Sequence, residues 1–328
     1  LINAGVPNKV VSLKDGTMAW HLAGYEVVNG ATRRPPDVSS SGVEAARHAA
    51  RSVAELMAIP SIDAAALAAW QSESATRSLY VLDVRTPEEY AAGHVRGVRS
   101  APGGQLVQET DNYLATWGAR VVLTDADGVR AIMTASWLKQ MGWEVVIADN
   151  ETAGGATERG PFRARVLGLD DAGGRYIGTA DLQHGLAEAR FSVVDLDYSR
   201  QYLQGHIPGA HWALRSRLDT DLASLPADRP IVFTSDDGAL AALAASDHAA
   251  DPRGSMALQG GTRAWRDAGL PLSSGPEHMA SAVEDIRLKA REQSSDIEAA
   301  MRAYLAWEIN LVNDMATDDD QRFEVVTG

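Results

Sequence analysis

Two short stretches hold the residues best placed to do chemistry. In Val121-Val122-Leu123-Thr124-Asp125-Ala126-Asp127-Gly128-Val129-Arg130, an apolar β-branched run stops at a Gly-containing loop, and a helical pattern from Ala131 to Met141 follows. Ile231-Val232-Phe233-Thr234-Ser235-Asp236-Asp237-Gly238 repeats the arrangement. Thr124 and Thr234 end the apolar runs, a Gly stands four residues on, and the two glycines are 110 residues apart. Such a loop turns several backbone N–H groups inward over a helix N-terminus, which suits an anion or a nucleophile that needs a lowered pKa. The side chains on offer are unusual for that task. Serine needs a neighbouring base, and the sequence around Ser235 suggests none. Asp125, Asp127, Asp236 and Asp237 add negative charge. Two carboxylates about 4 Å apart repel by roughly 4 kcal/mol at an effective dielectric near 20, so both loops disfavour an anionic ligand.

Composition narrows the chemistry further. The 328 residues include no cysteine, which excludes disulfides, thiolate metal sites and a Cys nucleophile on this chain. The eight His show no clustered ligand spacing, so neither a metal nor a cofactor is expected. A net charge of −14 argues against nucleic acid and anionic membrane as partners. Nothing approaches the roughly 18 apolar residues of a membrane span, and no signal peptide is legible, so a cytoplasmic protein is the expectation.

The elements that must position the loops are legible as repeats. Ser12 to Tyr25 aligns without a gap on Ala257 to Leu270, 245 residues on. Each copy predicts a buried strand, a Gly turn, a short helix with an inward Trp (Trp20, Trp265) and a Gly C-cap. Val81-Leu82-Asp83-Val84-Arg85 through Gly93-His94-Val95-Arg96-Gly97 is echoed 112 residues on by Val193-Val194-Asp195-Leu196-Asp197 through Gly205-His206-Ile207-Pro208-Gly209. Thr86-Pro87-Glu88-Glu89 reads as a capping box with Pro at the first helical position. His94 and His206 are expected to hold their turns by hydrogen bonds, and Arg85 to brace the sheet end or pair with a carboxylate. In Asn150-Glu151-Thr152-Ala153-Gly154-Gly155 the closing Gly-Gly turn has lost its Trp. Strands alternating with helices predict α/β units with a largely parallel sheet.

Asp83-Val84-Arg85-Thr86-Pro87-Glu88-Glu89-Tyr90 with Gly93-His94-Val95-Arg96-Gly97, and Leu258-Gln259-Gly260-Gly261-Thr262-Arg263-Ala264-Trp265 with Ala268-Gly269-Leu270-Pro271-Leu272, resemble rhodanese-type sulfurtransferases. The resemblance covers nearly the whole chain. It implies tandem rhodanese-like domains, each a parallel sheet with helices on both faces. The implied chemistry passes sulfane sulfur from thiosulfate or another donor onto a Cys, and then to cyanide or a thiol. It also implies active loops that begin with Cys, with Gly three positions after the Cys and often Arg two later. Aligned on Gly128, the Cys position is Asp125 and the Arg is Arg130; aligned on Gly238, they are Ser235 and Leu240. The loops are therefore expected to be degenerate. Asp125-Ala126-Asp127-Gly128-Val129 also resembles the nucleophile motif of haloacid-dehalogenase-type phosphatases. That chemistry needs a later Lys and an acidic metal-binding pair, for which the repeats leave no place.

The expected organisation is the tail of a truncated rhodanese-like unit at 1–30, a linker and helix at 31–60, rhodanese-like domains at 61–158 and 176–275 joined by a linker at 159–175, and a helical extension at 276–328. Val283 to Met315 is expected to be helical, with Ile297, Met301, Tyr304, Leu305, Leu311 and Val312 on one side and Ser295-Asp296-Ile297-Glu298 as a capping box. The start at Leu1, inside a repeat, suggests a piece of a longer polypeptide. The function expected is that of the non-catalytic portion of a sulfurtransferase whose Cys lies upstream. Its partners would be upstream rhodanese units, a small anionic sulfur donor and a thiol or cyanide acceptor. The alternative is a Cys-free scaffold that binds an anion or a protein.

Overall fold

The computed structural model describes residues 1–30, 32–33, 36–149, 151–287, 289–292 and 296–326. Pro35 of the first linker, Asn150 of the drifted turn and Ser295 of the expected capping box lie outside them. The chain forms two compact units, Leu1–Arg163 together with Asp296–Gly328, and Ala164–Ser295.

In the first unit, α1 (Gly16–Leu22) precedes α2 (Ser40–Leu56), whose start is capped by Ser39 accepting from the Gly42 N–H at 3.1 Å. α3 (Ala64–Ser72) starts at Asp63, which accepts from Ala66 N–H at 2.8 Å. β1 (Leu79–Asp83), α4 (Pro87–Ala92), β2 (His94–Val95), β3 (Arg99–Ser100), α5 (Gly103–Gln108), β4 (Arg120–Asp125), α6 (Val129–Gln140), β5 (Glu144–Asp149) and β6 (Ala156–Glu158) follow. The main sheet is parallel in the order β3-β1-β4-β5, with β4 in the middle because Val121, Val122 and Leu123 have no exposed surface to offer. On one face Ala50, Val53 and Met57 of α2 and its flank pack with Leu82, Leu123 and Leu138. Thus the helix that the sequence grouped with a linker contributes to this core. On the other face Ile62 and Leu67 cover Val122 and Val146. After β5 the chain turns and enters β6, which pairs antiparallel with β2 instead of forming a Trp-bearing closing helix.

In the second unit, β7 (Tyr176–Ile177), α7 (Thr179–Ala187), β8 (Ser192–Asp195), α8 (Ser199–Gln204), β9 (His211–Trp212), α9 (Leu218–Asp221), β10 (Ile231–Thr234), α10 (Ala239–Asp247), β11 (Ser255–Leu258) and α11 (Gly261–Asp267) build a parallel sheet in the order β7-β11-β10-β8-β9. Trp265 is buried among Val193, Tyr202, Val232 and Leu258, as expected.

Two expectations fail. Residues 10–13 form no strand, and Trp20 is not a core residue: it is 41% exposed, with Val11 and Leu13 more exposed still. A closing strand gains its ladder only from the central strand of its own sheet, and neither sheet takes this segment in. The C-terminal helix does not begin near Val283. α12 spans Ile297–Ala316, starting at Asp296, whose carboxylate accepts from Ala299 N–H at 2.9 Å. The segment before it is spent on bonds within the second unit. Ala280 N–H donates to Trp212 C=O, Ser281 Oγ accepts from Leu214 N–H, and Asp285 takes both the N–H and the hydroxyl of Ser199. Those bonds outweigh helix propensity there. α12 keeps Met301, Leu305 and Leu311 of its apolar side half-buried, and beyond it Glu324 N–H donates to Gln140 C=O and Val326 packs on the first core.

Candidate functional site

In each unit the central strand delivers the chain to a short loop, and a Gly in the left-handed region starts the following helix (Gly128 φ 79°, Gly238 φ 83°). Only Gly adopts that conformation at little cost, which explains its place in both loops. The pairing of Leu82 with Leu123 and of Asp83 with Thr124 sets the end of β1 beside the first loop; Asp195 pairs with Thr234 in the same way beside the second.

In the first loop the Asp125 side chain is buried and folds back into the ring of backbone amides. Its carboxylate accepts from Gly128 N–H at 2.5 Å, Arg130 N–H at 2.8 Å and Ala131 N–H at 3.1 Å. The donors that could hold an external anion are thus occupied by the protein's own carboxylate. Burial is the largest influence on Asp125 and pushes its pKa up; the amide bonds pull it down, and Asp127 pushes it up again. Asp127 accepts from Val129 N–H at 3.1 Å. Arg130 does not face the loop as a free cation. Its guanidinium makes a two-pronged bond to Glu89 at 2.6 and 2.8 Å. That bond, helped by the Thr86 contacts and opposed by burial, brings the Glu89 pKa down to about 2. Glu89 also closes the capping box with Thr86, as the sequence predicts.

The second loop is held differently. Ser235 is buried, and its hydroxyl accepts from Ala241 N–H at 3.3 Å, with no base against it among the described residues. Its carbonyl accepts from Gly238 and Thr262 N–H, and Asp236 C=O accepts from Arg263 N–H. The closing Gly-Gly turn therefore seats directly on the loop. A Cβ on Gly261 (φ 66°) would stand 1.9 Å from Ser235 O, so only Gly fits. Asp236 pairs with Arg263, and its N–H donates to Asp197 at 2.7 Å. Asp237 accepts from Ala239 N–H at 3.0 Å, and Leu240 stands where the first loop has Arg130. Leu196, Asp197, Tyr198, Ser235, Asp237 and Leu243 line part of a cavity of about 420 Å³ over this loop.

Arg85 pairs with a carboxylate, as expected, but sequence reasoning missed how the second unit differs at the same place. Asp83, buried at the end of β1, is bonded by Arg85 through Nε at 3.0 Å and Nη2 at 2.6 Å, and Arg85 also donates to Gly93 C=O at 2.7 Å. Its counterpart Asp195 is fully buried with Asp197 in the position of Arg85. One carboxylate oxygen accepts from Asp197 N–H at 2.9 Å, and the other has no partner among the described residues. Burial first, then Asp197, pushes Asp195 up to about 7. The 112-residue repeat already sets Arg85 against Asp197, and that was the available signal. His94 and His206 behave as expected: Nδ1 lies 2.9 and 2.7 Å from the carbonyls of Tyr90 and Tyr202, with each ring stacked on that Tyr at 3.7 and 3.8 Å.

The chain is similar over its whole length to a solved thiosulfate sulfurtransferase from Pseudomonas aeruginosa, at 42% identity and a TM-score of 0.91, and it spans 62% of that longer chain. A rhodanese-related protein from Thermoplasma volcanium matches 30% of the chain at 21% identity and a TM-score of 0.28, over 97% of its own length. A rhodanese-like domain protein from Staphylococcus aureus matches 30% at 24% identity and a TM-score of 0.28, over 99% of its own length. A search of curated proteins returned no match. The model of the rhodanese-like domain matches residues 63–152 and 179–268, and with two parallel-sheet units ending in paired loops the chain belongs to the rhodanese-like family.

Proposed function

We propose that this chain is a non-catalytic portion of a rhodanese-like sulfurtransferase, whose activity moves sulfane sulfur from thiosulfate or another anionic donor to cyanide or a thiol. In this reading the catalytic Cys belongs to an upstream unit, the domains of this chain span 61–158 and 176–275, and the protein works in the cytoplasm. Asp125, Asp127, Gly128 and Arg130, and Ser235, Asp236, Asp237 and Gly238, are the degenerate active-loop positions. The observation that carries the reading is the Asp125 carboxylate seated in the amide ring, where a persulfide and its donor would have to sit. A carboxylate forms no stable persulfide, and an unassisted Ser hydroxyl stays protonated at neutral pH. The same plug argues against an anion-binding scaffold.

The chain alone, incubated with thiosulfate and cyanide, is expected to give no thiocyanate above the buffer rate; enzymatic turnover by the purified chain would overturn the reading. Asp125→Cys is expected to restore little, since Asp127 stays beside the new sulfur and Arg130 remains tied to Glu89. Adding Asp127→Asn lowers the thiol pKa, read by thiolate absorbance against pH. Equal thiol pKa values in the two variants would show that Asp127 does not act on that position.

A further inference from the structure

The N-terminal segment has the local geometry of a rhodanese closing helix without the core that such a helix closes. α1 and α11 are each seven residues long. Each follows a residue in the left-handed region, Asp15 at φ 55° and Gly260 at φ 72°, and each begins with a positive-φ glycine, Gly16 at 61° and Gly261 at 66°. In each, the Trp indole N–H donates to the carbonyl six residues on, Trp20 to Glu26 and Trp265 to Pro271, both at 2.9 Å. The two segments part company in their surroundings. Met256, Leu258, Trp265 and Leu270 all belong to one core of the second unit. Their counterparts Val11, Leu13, Trp20 and Tyr25 are 75%, 57%, 41% and 57% exposed. The space that Gly261 leaves is taken by the loop at Ser235, whereas nothing lies within 4 Å of a Cβ on Gly16.

We infer that Val11, Leu13, Trp20 and Tyr25 form a docking face whose occupant is the open sheet of a further rhodanese-like unit, preceding this segment in the same polypeptide, which these residues close as Met256, Leu258, Trp265 and Leu270 close the second unit. This rests on the proposal that the chain is part of a longer sulfurtransferase, and the solved relative, of which the chain spans 62%, has the length to hold such a unit. The match of sequence, helix length, glycine conformation and indole bond selects this occupant over a second copy of the chain, whose two sheets already pair β5 and β11 with their central strands. The segment thereby belongs to the core of a unit that sits upstream of both units described here, and its apolar exposure of four large side chains is relieved by that core.

The test is amide exchange on the peptide covering residues 8–26, in this chain and in the product of the complete reading frame, with thiocyanate formation measured on the same samples. The complete product is expected to protect Val11 to Leu13 by about a hundredfold or more over this chain. Trp20→Ala is expected to lower the first thermal transition of the complete product while leaving this chain's transitions unmoved, and Trp20→Phe to recover most of the loss. Equal exchange in the two proteins, an equal response to Trp20→Ala, or a reading frame that encodes no further unit before Leu1 would overturn the inference. Exchange reports the docking and thiocyanate reports the activity, so a complete product that turns over sulfur with residues 8–26 unprotected sinks the docking face alone.

Discussion

At the end of β1 and at the end of β8 the two units place the same residue, a buried aspartate, in the same register, and surround it with opposite charge. Asp83 meets the Arg85 guanidinium, which also ties down the carbonyl of Gly93, so the turn leading to His94 is fastened to the sheet. Asp195 meets Asp197, and one of its oxygens is left without a donor. The apolar frame is alike in both: Tyr90 and Tyr202 stack on the turn histidines and donate to Val98 and Ala210 C=O, each at 2.7 Å. The difference teaches that the stacked rings and the Tyr and His hydrogen bonds carry this turn in both units, and that the ion pair is an added brace in one, whose place in the other is taken by a carboxyl that burial pushes upward in pKa. The loops differ in parallel. The first fills its amide ring with Asp125, and the second leans its Ser235 and Asp236 carbonyls on the closing helix.

The comparison breaks most sharply if the first unit is given the second unit's charge. Arg85→Asp leaves Asp83 buried without its cation, and is expected to destabilise the first unit by about 3–5 kcal/mol in denaturant unfolding, with little change in the second transition. A loss under 1 kcal/mol would mean that Arg85 is not a brace. The next effect is in pH. The folded state raises Asp195 to about 7 from an ordinary 3.8, so its contribution is full below about pH 4 and is lost as pH rises through about 7. The stability of the second unit should fall over that window, by no more than about 1.4 kcal/mol per pH unit for one proton. Asp195→Asn should flatten the slope; an unchanged slope assigns it to another group.

Asp197→Arg sharpens the comparison from the other side by offering Asp195 the partner that Asp83 has. It is expected to stabilise the second unit at pH 8 by about 1–3 kcal/mol, as a charge-assisted bond does, and to reduce the pH slope as well. Greater stability with the slope intact would point to relief of the repulsion with Asp236 alone. The smallest effect is expected from Arg130→Gln. The Arg130 and Glu89 side chains are 39% and 45% exposed, and a pair so wetted contributes about 0–1 kcal/mol. The change should leave the melting temperature within a degree or two, while the Glu89 pKa rises from about 2 toward the ordinary carboxylate range, read by carbonyl-resolved NMR titration.

Much of the molecule was legible in the residues themselves. The β-branched runs, the Thr86-Pro87-Glu88-Glu89 cap and the Gly starting each loop helix act within a few residues of chain, so the elements and their order follow from local chemistry. The spacing of the repeats carried the register, because equal strand and loop lengths return the chain to the same place in each sheet. Identity of segment did not carry identity of environment. Trp20 and Trp265 share a helix, a glycine conformation and an indole bond, yet only Trp265 has a core to enter. Residues 283–292 have helical composition, but hydrogen bonds to Ser199, Trp212 and Leu214, 67 or more residues away, hold the approach to them in extended form. The partner of Arg130 lies 41 residues off on α4, and no local pattern names it. The sequence by itself determined the elements, the loops and the missing thiol, because those depend on neighbours in the chain. Burial, and with it the titration of Asp195, the plugging of the amide ring and the exposure of Trp20, was decided by the tertiary structure, because desolvation depends on which distant groups arrive.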